Sequence, residues 1–518
     1  MPKPLKLLQK AKLKTKKIKP TLGRHLKWLP KKNWVLVFSS VILYTLAVPP
    51  YNMWIFSFIA FIPFFIIQEE VKSLKKLFLY GWVFGFILYA YNFYWLSGTI
   101  SVFGGLNSYL AFFVFLLFAL AFSLKYALFN WLANALQQYY SIIPILSYGS
   151  AMILVELFFP ELFPNFVGNT QISNFYFIQI IDVIGIKGMS FIVISINYLI
   201  YATLLRKDKK MLLVLASIFF IVYSYGFIRL IQINKYKDNA RSLNIGLIQP
   251  DTPFITGIGY KDFVRIKDNV IRLTDQLVAN TKEELQIIVW PESATPFSIT
   301  GNFFLADTVR NYMRSKSTAF IFNEINYDAF KSGAPLHSMA TMLDNKGELV
   351  DHYNKIYLLP FGEYMPLSDL FPSLISFFPQ VGNFKPGGEI KNFLYEGVRM
   401  TPQICYEIIL PDFVRRFVRK GSDVIINLTN DKWFGKSRAS EQHLWLLRPR
   451  VIENRIPLVR ATNSGISAIL DQTGEFVAGP TKIFVEDYLA AKVYLIDQIF
   501  GLYTYLGDSI IILIALYT

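Results

Sequence analysis

Three residue types capable of acyl chemistry stand at the ends of apolar runs. They are a carboxylate in LQIIVWPE (Glu292), an ammonium in YNKIYLLPFGEYMP (Lys355) and a thiol in VRMTPQIC (Cys405). Cys405 is the only cysteine among 518 residues. A free cysteine is usually a small buried hydrophobe, so the count alone argues for nothing. The chemistry of its companions argues more. A thiol near neutral pH is mostly protonated and attacks as the thiolate; a carboxylate can take the proton, and an ammonium or a helix N-terminus can stabilise the sulfur or a developing oxyanion. Glu292 and Lys355 lie 63 residues apart, and Lys355 and Cys405 50 apart, so only folding can assemble them.

The elements that must do so begin at Leu243. Short β-branched runs (LNIGLIQP, LQIIVWPE, STAFIFNE, VRMTPQIC, DVIINLTN) alternate with amphipathic stretches such as YKDFVRIKDNVIRLTDQLVAN. Strands separated by helices predict βαβ units around buried sheet, and ligands collect at strand ends in such folds. The stretch YEIILPDFVRRFVRK is expected to form a helix starting beside Cys405.

The first half has a different character. The chain is 53% hydrophobic and 17% charged, too apolar for one water-soluble domain of this length. Net charge is +17 over residues 1–240 and −1 over 241–518. Residues 1–32 hold twelve Lys or Arg and no acid, which next to an apolar segment points to an anionic membrane face rather than to nucleic acid. A spanning helix needs about 20 apolar residues. Windows of that character fall near 34–49, 53–68, 75–96, 108–131, 142–162, 178–204, 211–231 and 499–518, which predicts eight passages. Cationic loops alternate with uncharged ones, and cytoplasmic loops carry the Lys/Arg excess. The expected organisation is a basic cytoplasmic segment (1–32), seven helices (33–237), an extracytoplasmic α/β domain (238–498) and a last helix (499–518). Few ionisable groups interrupt the windows; Glu156, Glu161, Asp182 and Lys187 are placed near helix ends, which argues against an ion-relaying transporter.

In this order WPES, YNKIYLLPFGEYMP, QICYEI, NLTNDKWFG and RATNSGIS resemble the nitrilase superfamily, with its αββα sandwich and Glu-Lys-Cys triad. With helices before and after, the chain resembles the membrane-embedded apolipoprotein N-acyltransferases. The resemblance implies Glu292 as general base, Lys355 as oxyanion stabiliser and Cys405 as nucleophile. It implies Glu363, Tyr406 and Glu407 as supporting residues, with the Tyr406 N–H as a second oxyanion donor. A membrane phospholipid would donate the acyl chain and a diacylated apolipoprotein would accept it, with no cofactor, in a bacterial inner membrane with the catalytic face periplasmic. A monomer is expected. The family's substrate-loop tryptophan is missing from QPDTPFITGIGYKDF, leaving Phe254 or Tyr260 for that place.

Two other readings share these residues: a membrane-tethered nitrilase-type amidase, and a multi-pass transporter with an inactive nitrilase-like domain. Seven preceding helices exceed what an anchor needs, and an intact triad counts against decay. His25, His337, His352 and His443 show no metal-ligand spacing, so no metal is expected; His443 and Arg448 are assigned to the surface or to a salt bridge. The apolar insertion at 368–388, with Phe371, Leu374, Ile375, Phe377 and Phe378, reads either as core packing or, if exposed, as a lid dipping toward lipid. A single thiol also suits an oxidising compartment, where a second could trap it as a disulfide.

Overall fold

The computed structural model describes residues 32–140, 142–253, 259–326, 333–368, 370–371, 373, 381–497 and 499–517. The basic segment before Lys32, with His25, and Phe254, Leu374, Ile375, Phe377 and Phe378 lie outside them.

Helices fill the first half: α1 (Lys32–Ala47), α2 (Ile62–Glu70), α3 (Leu74–Asn92), α4 (Trp95–Gly104), α5 (Ser108–Phe122), α6 (Leu124–Tyr140), α7 (Pro144–Phe158), α8 (Ile181–Leu204) and α9 (Lys209–Lys237). Among the described residues, three stretches are long and apolar enough to cross a membrane: Ser108–Tyr140, Phe177–Leu204 and Lys209–Lys237. The pair α3 and α4, bent by 61°, makes a fourth if taken as one span. The remaining windows hold shorter pieces. Residues 53–68 divide into a 3-10 turn, Trp54–Phe58, and the nine-residue α2, and the last window divides into Leu502–Leu506 and Ser509–Tyr517.

Beyond α9 come β1 (Arg241–Gln249), α10 (Tyr260–Asn280), β2 (Ile287–Val289), α11 (Ala306–Ser315), β3 (Ala319–Ile325), β4 (Ser338–Leu343), β5 (Leu349–Asn354), β6 (Phe393–Tyr395), β7 (Val398–Ile404), β8 (Val424–Thr429), β9 (Leu458–Thr462), β10 (Ala468–Leu470), β11 (Phe476–Ala478) and β12 (Asp487–Leu495). They form two six-stranded sheets ordered β12-β1-β2-β3-β4-β5 and β11-β10-β9-β8-β7-β6. Each has three central parallel strands and antiparallel flanks. Strand period two sorts the side chains: Ile287, Val289, Val424, Ile426 and Leu428 fill the core between the sheets. Ile288 and Phe320 face α10 and α11, and Ile425 and Leu458 face the helices Pro411–Arg419 and Leu447–Asn454. The result is the expected four-layer αββα order.

The second outer helical layer is shared with the membrane-type helices. Ala439 and Ile452 pack into the same apolar core as Phe93, Trp95 and Ile186. Polar links cross the same boundary. Arg455, fully buried and in the left-handed region (φ 56°), donates to Asp182 Oδ2 at 2.8 Å and to Gln179. The same carboxylate takes Arg229 Nε at 2.8 Å and the Tyr225 hydroxyl at 2.6 Å. Lys125, a cation inside an apolar span that the sequence reading passed over, is wholly buried. Its Nζ lies 3.0 Å from Glu161 and 2.7 Å from Asn165 O. Together with Tyr89, which donates to Glu161 at 2.6 Å, it fixes the loop after α7.

Removing one partner of a buried ion pair costs about 3–5 kcal/mol, because a charge is left without compensation. Asp182→Asn keeps the shape and strips the charge from Arg455 and Arg229. The expected result is a clear drop in the thermal midpoint of the detergent-solubilised protein, with earlier proteolysis between α9 and β1; an unchanged midpoint would show that the cluster does not couple the two halves.

Candidate active site

Lys355 is the first residue beyond β5. Its ammonium is 1% exposed, 2.7 Å from Glu363 Oε1 and 3.8 Å from Glu292 Oε1. Glu292 follows β2 through Trp290 and Pro291, and the indole of Trp290 is buried on the outer face, donating to Thr274 at 3.1 Å. That anchorage leaves the carboxylate on the other side of the chain, held by a left-handed Ser293 (φ 57°) whose N–H reaches Asn323. Cys405 joins β7 to a 3-10 turn, Cys405–Ile409, and is itself left-handed at φ 50°. Non-glycine residues rarely adopt that conformation and it clusters at functional sites. The α-helix expected beside the thiol starts later, at Pro411. Proline suits a first helical position and the preceding residues cannot extend the helix back through it, so no α-helix N-terminus supports the sulfur.

The electrostatics divide the labour. Glu363 takes the short contact with Lys355 and also accepts from Leu359 N at 2.7 Å. Glu292 is left with the longer one. Burial raises its carboxyl to about 7, against the pull of Lys355; the Glu363 charge adds to the rise and the Cys405 side chain opposes it. A base is most effective with a pKa near the working pH. One of its oxygens, Oε2, is buried without a hydrogen-bond partner among the described residues. Burial, followed by the Glu292 charge, pushes the Cys405 thiol up to about 12, with Lys355 opposing. The resting pair is therefore a thiol beside a carboxylate that is half ionised near neutrality, and the lysine stays charged because Glu363 and Glu292 outweigh its burial.

Glu407 braces this arrangement from behind. Its Oε1 accepts from the Tyr353 hydroxyl (2.6 Å), Ile356 N (2.8 Å) and Tyr357 N (3.1 Å), and its Oε2 from Ile404 N (2.9 Å). One carboxylate thus pins the residues on either side of Lys355's strand end to the residue before the nucleophile. Tyr406 turns the other way: its hydroxyl donates to Leu162 O at 2.5 Å and its ring meets Phe163 edge-on. Of the triad candidates, Cys405 alone opens on an apolar cavity of about 870 Å3 including its mouth. Val48, Phe93, Trp95 and Phe163 wall it from the helical half, and Phe434 and Leu446 from the α/β half. Trp95 Nε1 donates to Gln442 across the rim at 3.0 Å.

Comparison with protein-family models matches residues 40–199 to the apolipoprotein N-acyltransferase N-terminal domain and residues 259–495 to the carbon-nitrogen hydrolase domain. The apolipoprotein N-acyltransferase of Bdellovibrio bacteriovorus is 30% identical over 481 residues, spanning 86% of this chain and 82% of its own. The chain belongs to the apolipoprotein N-acyltransferase family. The Rickettsia prowazekii apolipoprotein N-acyltransferase is also 30% identical, over 77% of this chain and 79% of its own. Apolipoprotein N-acyltransferase 2 of Leptospira interrogans is 29% identical over 95% and 96%.

Glu292, Lys355, Cys405, Glu363 and Glu407 thus converge, whereas the Tyr406 side chain serves the junction with the helical half. Tyr260 opens α10, exposed and stacked on Phe304 at 5.3 Å, and Phe371 is exposed. His443 and Arg448 are not surface residues. Both are 8% exposed; Arg448 stacks on Trp445 and donates to Ile172 O, and His443 bonds Asp431 within the cavity wall. In their stretch, ASEQHLWLLRPRVIEN, polar and apolar residues are interspersed, so burial shows only once Asp431 and Ile172 are brought to them.

A carboxylate base with a pKa near 7 and a thiol near 12 give a distinct pH signature. Direct thiolate attack would rise about 100-fold from pH 6 to pH 8 with no plateau, whereas attack assisted by Glu292 rises about tenfold and levels above pH 8. Alkylation of Cys405 by iodoacetamide is expected to follow the second course, and Glu292→Gln to abolish the plateau.

Proposed function

We propose that this family member transfers a fatty acyl chain from a membrane phospholipid, through a thioester on Cys405, to the N-terminal amine of the diacylglyceryl-cysteine of an apolipoprotein. The observation that carries this reading is a thiol, backed by a carboxylate and a buried ammonium, at the floor of an apolar cavity walled by membrane-type helices. The relatives' shared name, apolipoprotein N-acyltransferase, supports it.

In the first half-reaction Glu292 takes the thiol proton as sulfur attacks the ester carbonyl. The oxyanion faces the Lys355 ammonium and the Tyr406 N–H, donors of the kind that stabilise such intermediates. Collapse breaks the carbon–oxygen bond, and the departing lysophospholipid alkoxide recovers the proton from Glu292. In the second, a neutral amine attacks the thioester; Glu292 carries its proton to the leaving sulfur, and the products are an amide and free Cys405. Glu363 and Glu407 position Lys355 and the nucleophile's turn throughout. An apolar cavity opening on the sulfur suits an acyl chain better than a small amide, and the polar clusters at Asp182 and Lys125 are internally paired rather than arranged along a transport path.

The same reading places the short and broken helices among eight passages of a bacterial inner membrane, around an extracytoplasmic catalytic domain over 238–498, in a monomer. Incubation with phospholipid carrying a labelled acyl chain should put label on Cys405 that hydroxylamine removes. Addition of a diacylglyceryl-cysteine peptide should move it to the peptide amine. Release as free fatty acid alone would identify a hydrolase, and absence of any Cys405 label would refute the thioester.

A further inference from the structure

The acyl-transfer scheme leaves one proton without an acceptor and the structure leaves one base without a task. An α-amine has an ordinary pKa of about 7.7–8.0, so at neutral pH the acceptor arrives mostly as an ammonium, which has no lone pair. Glu292 is engaged in moving the second proton from nitrogen to sulfur. Something else must remove the first.

His443 lies on the helix Ala439–Trp445 and lines the cavity with Cys405. Its Nδ1 is 2.8 Å from Asp431 Oδ1. Asp431 is fully buried in the 3-10 turn after β8, and its Oδ2 accepts from Arg460 Nη2 at 2.9 Å. Arg460 is held in turn by Asn427 Oδ1 at 2.7 Å and Ile466 O at 3.2 Å. Burial alone would raise the Asp431 carboxyl, but Arg460 and His443 overcome it and hold it below its usual range. Arg460 Nη2, which can only donate, also lies 3.1 Å from His443 Nδ1; the Asp431 contact is the shorter, and an ionised carboxylate accepts hydrogen bonds and donates none, so we assign the imidazole proton to Nδ1. The Nε2 lone pair is then free. That atom is buried and has no hydrogen-bond partner among the described residues. Asp431 and Arg460 are not among the cavity's walls, whereas His443 and the half-buried Phe434, which packs edge-on to the imidazole, are.

The sequence protects this arrangement. A Cβ at Gly465 would stand 2.3 Å from Asp431 Oδ2, so the glycine of RATNSGIS is required for the carboxylate to sit beneath the imidazole. The groups that act on His443 are Asp431, which favours its charged form, and Arg460 and Lys355, which with burial disfavour it and leave the ring neutral.

We propose that His443 Nε2 accepts the first proton of the acceptor's α-ammonium in the second half-reaction. The inference rests on the acyl-enzyme reading above. The ammonium N–H bond breaks, Nε2 gains the proton, and the imidazolium is held by Asp431. The neutral amine attacks the thioester with Glu292 carrying its second proton to sulfur. His443 then releases its proton to solvent, so one proton leaves per turnover.

His443→Asn tests this on the full-length protein in detergent, because an Asn amide can still donate to Asp431 but offers nothing in place of Nε2. The variant must still form the labelled Cys405 thioester, which shows that it is folded, and its discharge is read as a separate rate from the preformed acyl-enzyme. Discharge to a diacylglyceryl-cysteine peptide should fall about 20-fold at pH 6.5, where only about 5% of an amine of ordinary pKa is neutral, and should recover about tenfold by pH 8 as the amine deprotonates unaided. Native discharge rates across that range would overturn the proposal, as would equal slowing of both half-reactions with an unchanged pH profile, which marks a packing role. Failure of the native protein to form any thioester would remove the acyl-enzyme reading and this inference with it.

Discussion

The site is organised by one buried ammonium. Lys355 is withdrawn from water, and a lone charge in that position would be expensive to bury; Glu363 at 2.7 Å and Glu292 at 3.8 Å make it tolerable. The inequality of those two distances matters more than the pairing. The nearer carboxylate satisfies the lysine, and the farther one keeps enough burial penalty to titrate near 7. Had both been equally close, Glu292 would be a weak base. In the proposed reaction, the charge that faces the oxyanion is thus the same charge that decides which carboxylate can take the proton.

Glu407 extends this logic into the fold. By accepting from Ile404, Ile356 and Tyr357 it ties the end of β7 to the chain beyond β5, two segments on different sheets. The helical half completes the site from outside. Tyr406 is bonded to the loop after α7, which Lys125 and Glu161 hold, and Arg455 is bonded to Asp182. These links set the cavity walls over the sulfur, so membrane-type helices and the αββα layers form one binding surface.

Much of this was legible in the residues. The alternation of β-branched runs with amphipathic stretches marks β1, β2, β3, β7, β8 and α10, and strand ends mark Glu292, Lys355 and Cys405. What was not legible depends on partners far away in the chain. Lys125 reads as a stray cation in an apolar span until Glu161 and Asn165 are brought to it. His443 reads as serving the surface or a salt bridge; it does meet a carboxylate, but buried, because Asp431, Arg460 and Gly465 are gathered only by the second sheet and its turns. The helix expected beside Cys405 begins only at Pro411, and the left-handed φ of Cys405 is a local strain that no periodicity reports. Helix lengths were the weakest reading, since apolar windows do not reveal breaks such as the one dividing residues 53–68.

The central claim is that the Lys355 charge is what allows Cys405 to be acylated. Lys355→Met keeps an unbranched chain of similar reach and removes only the ammonium. Intact-mass measurement of acyl-enzyme after rapid mixing with phospholipid should show one acyl mass per native chain. In the variant, judged folded by cooperative unfolding, formation should be slowed by at least about 100-fold, the scale of losing one oxyanion donor. A folded Lys355→Met protein that acylates Cys405 at the native rate would contradict the account.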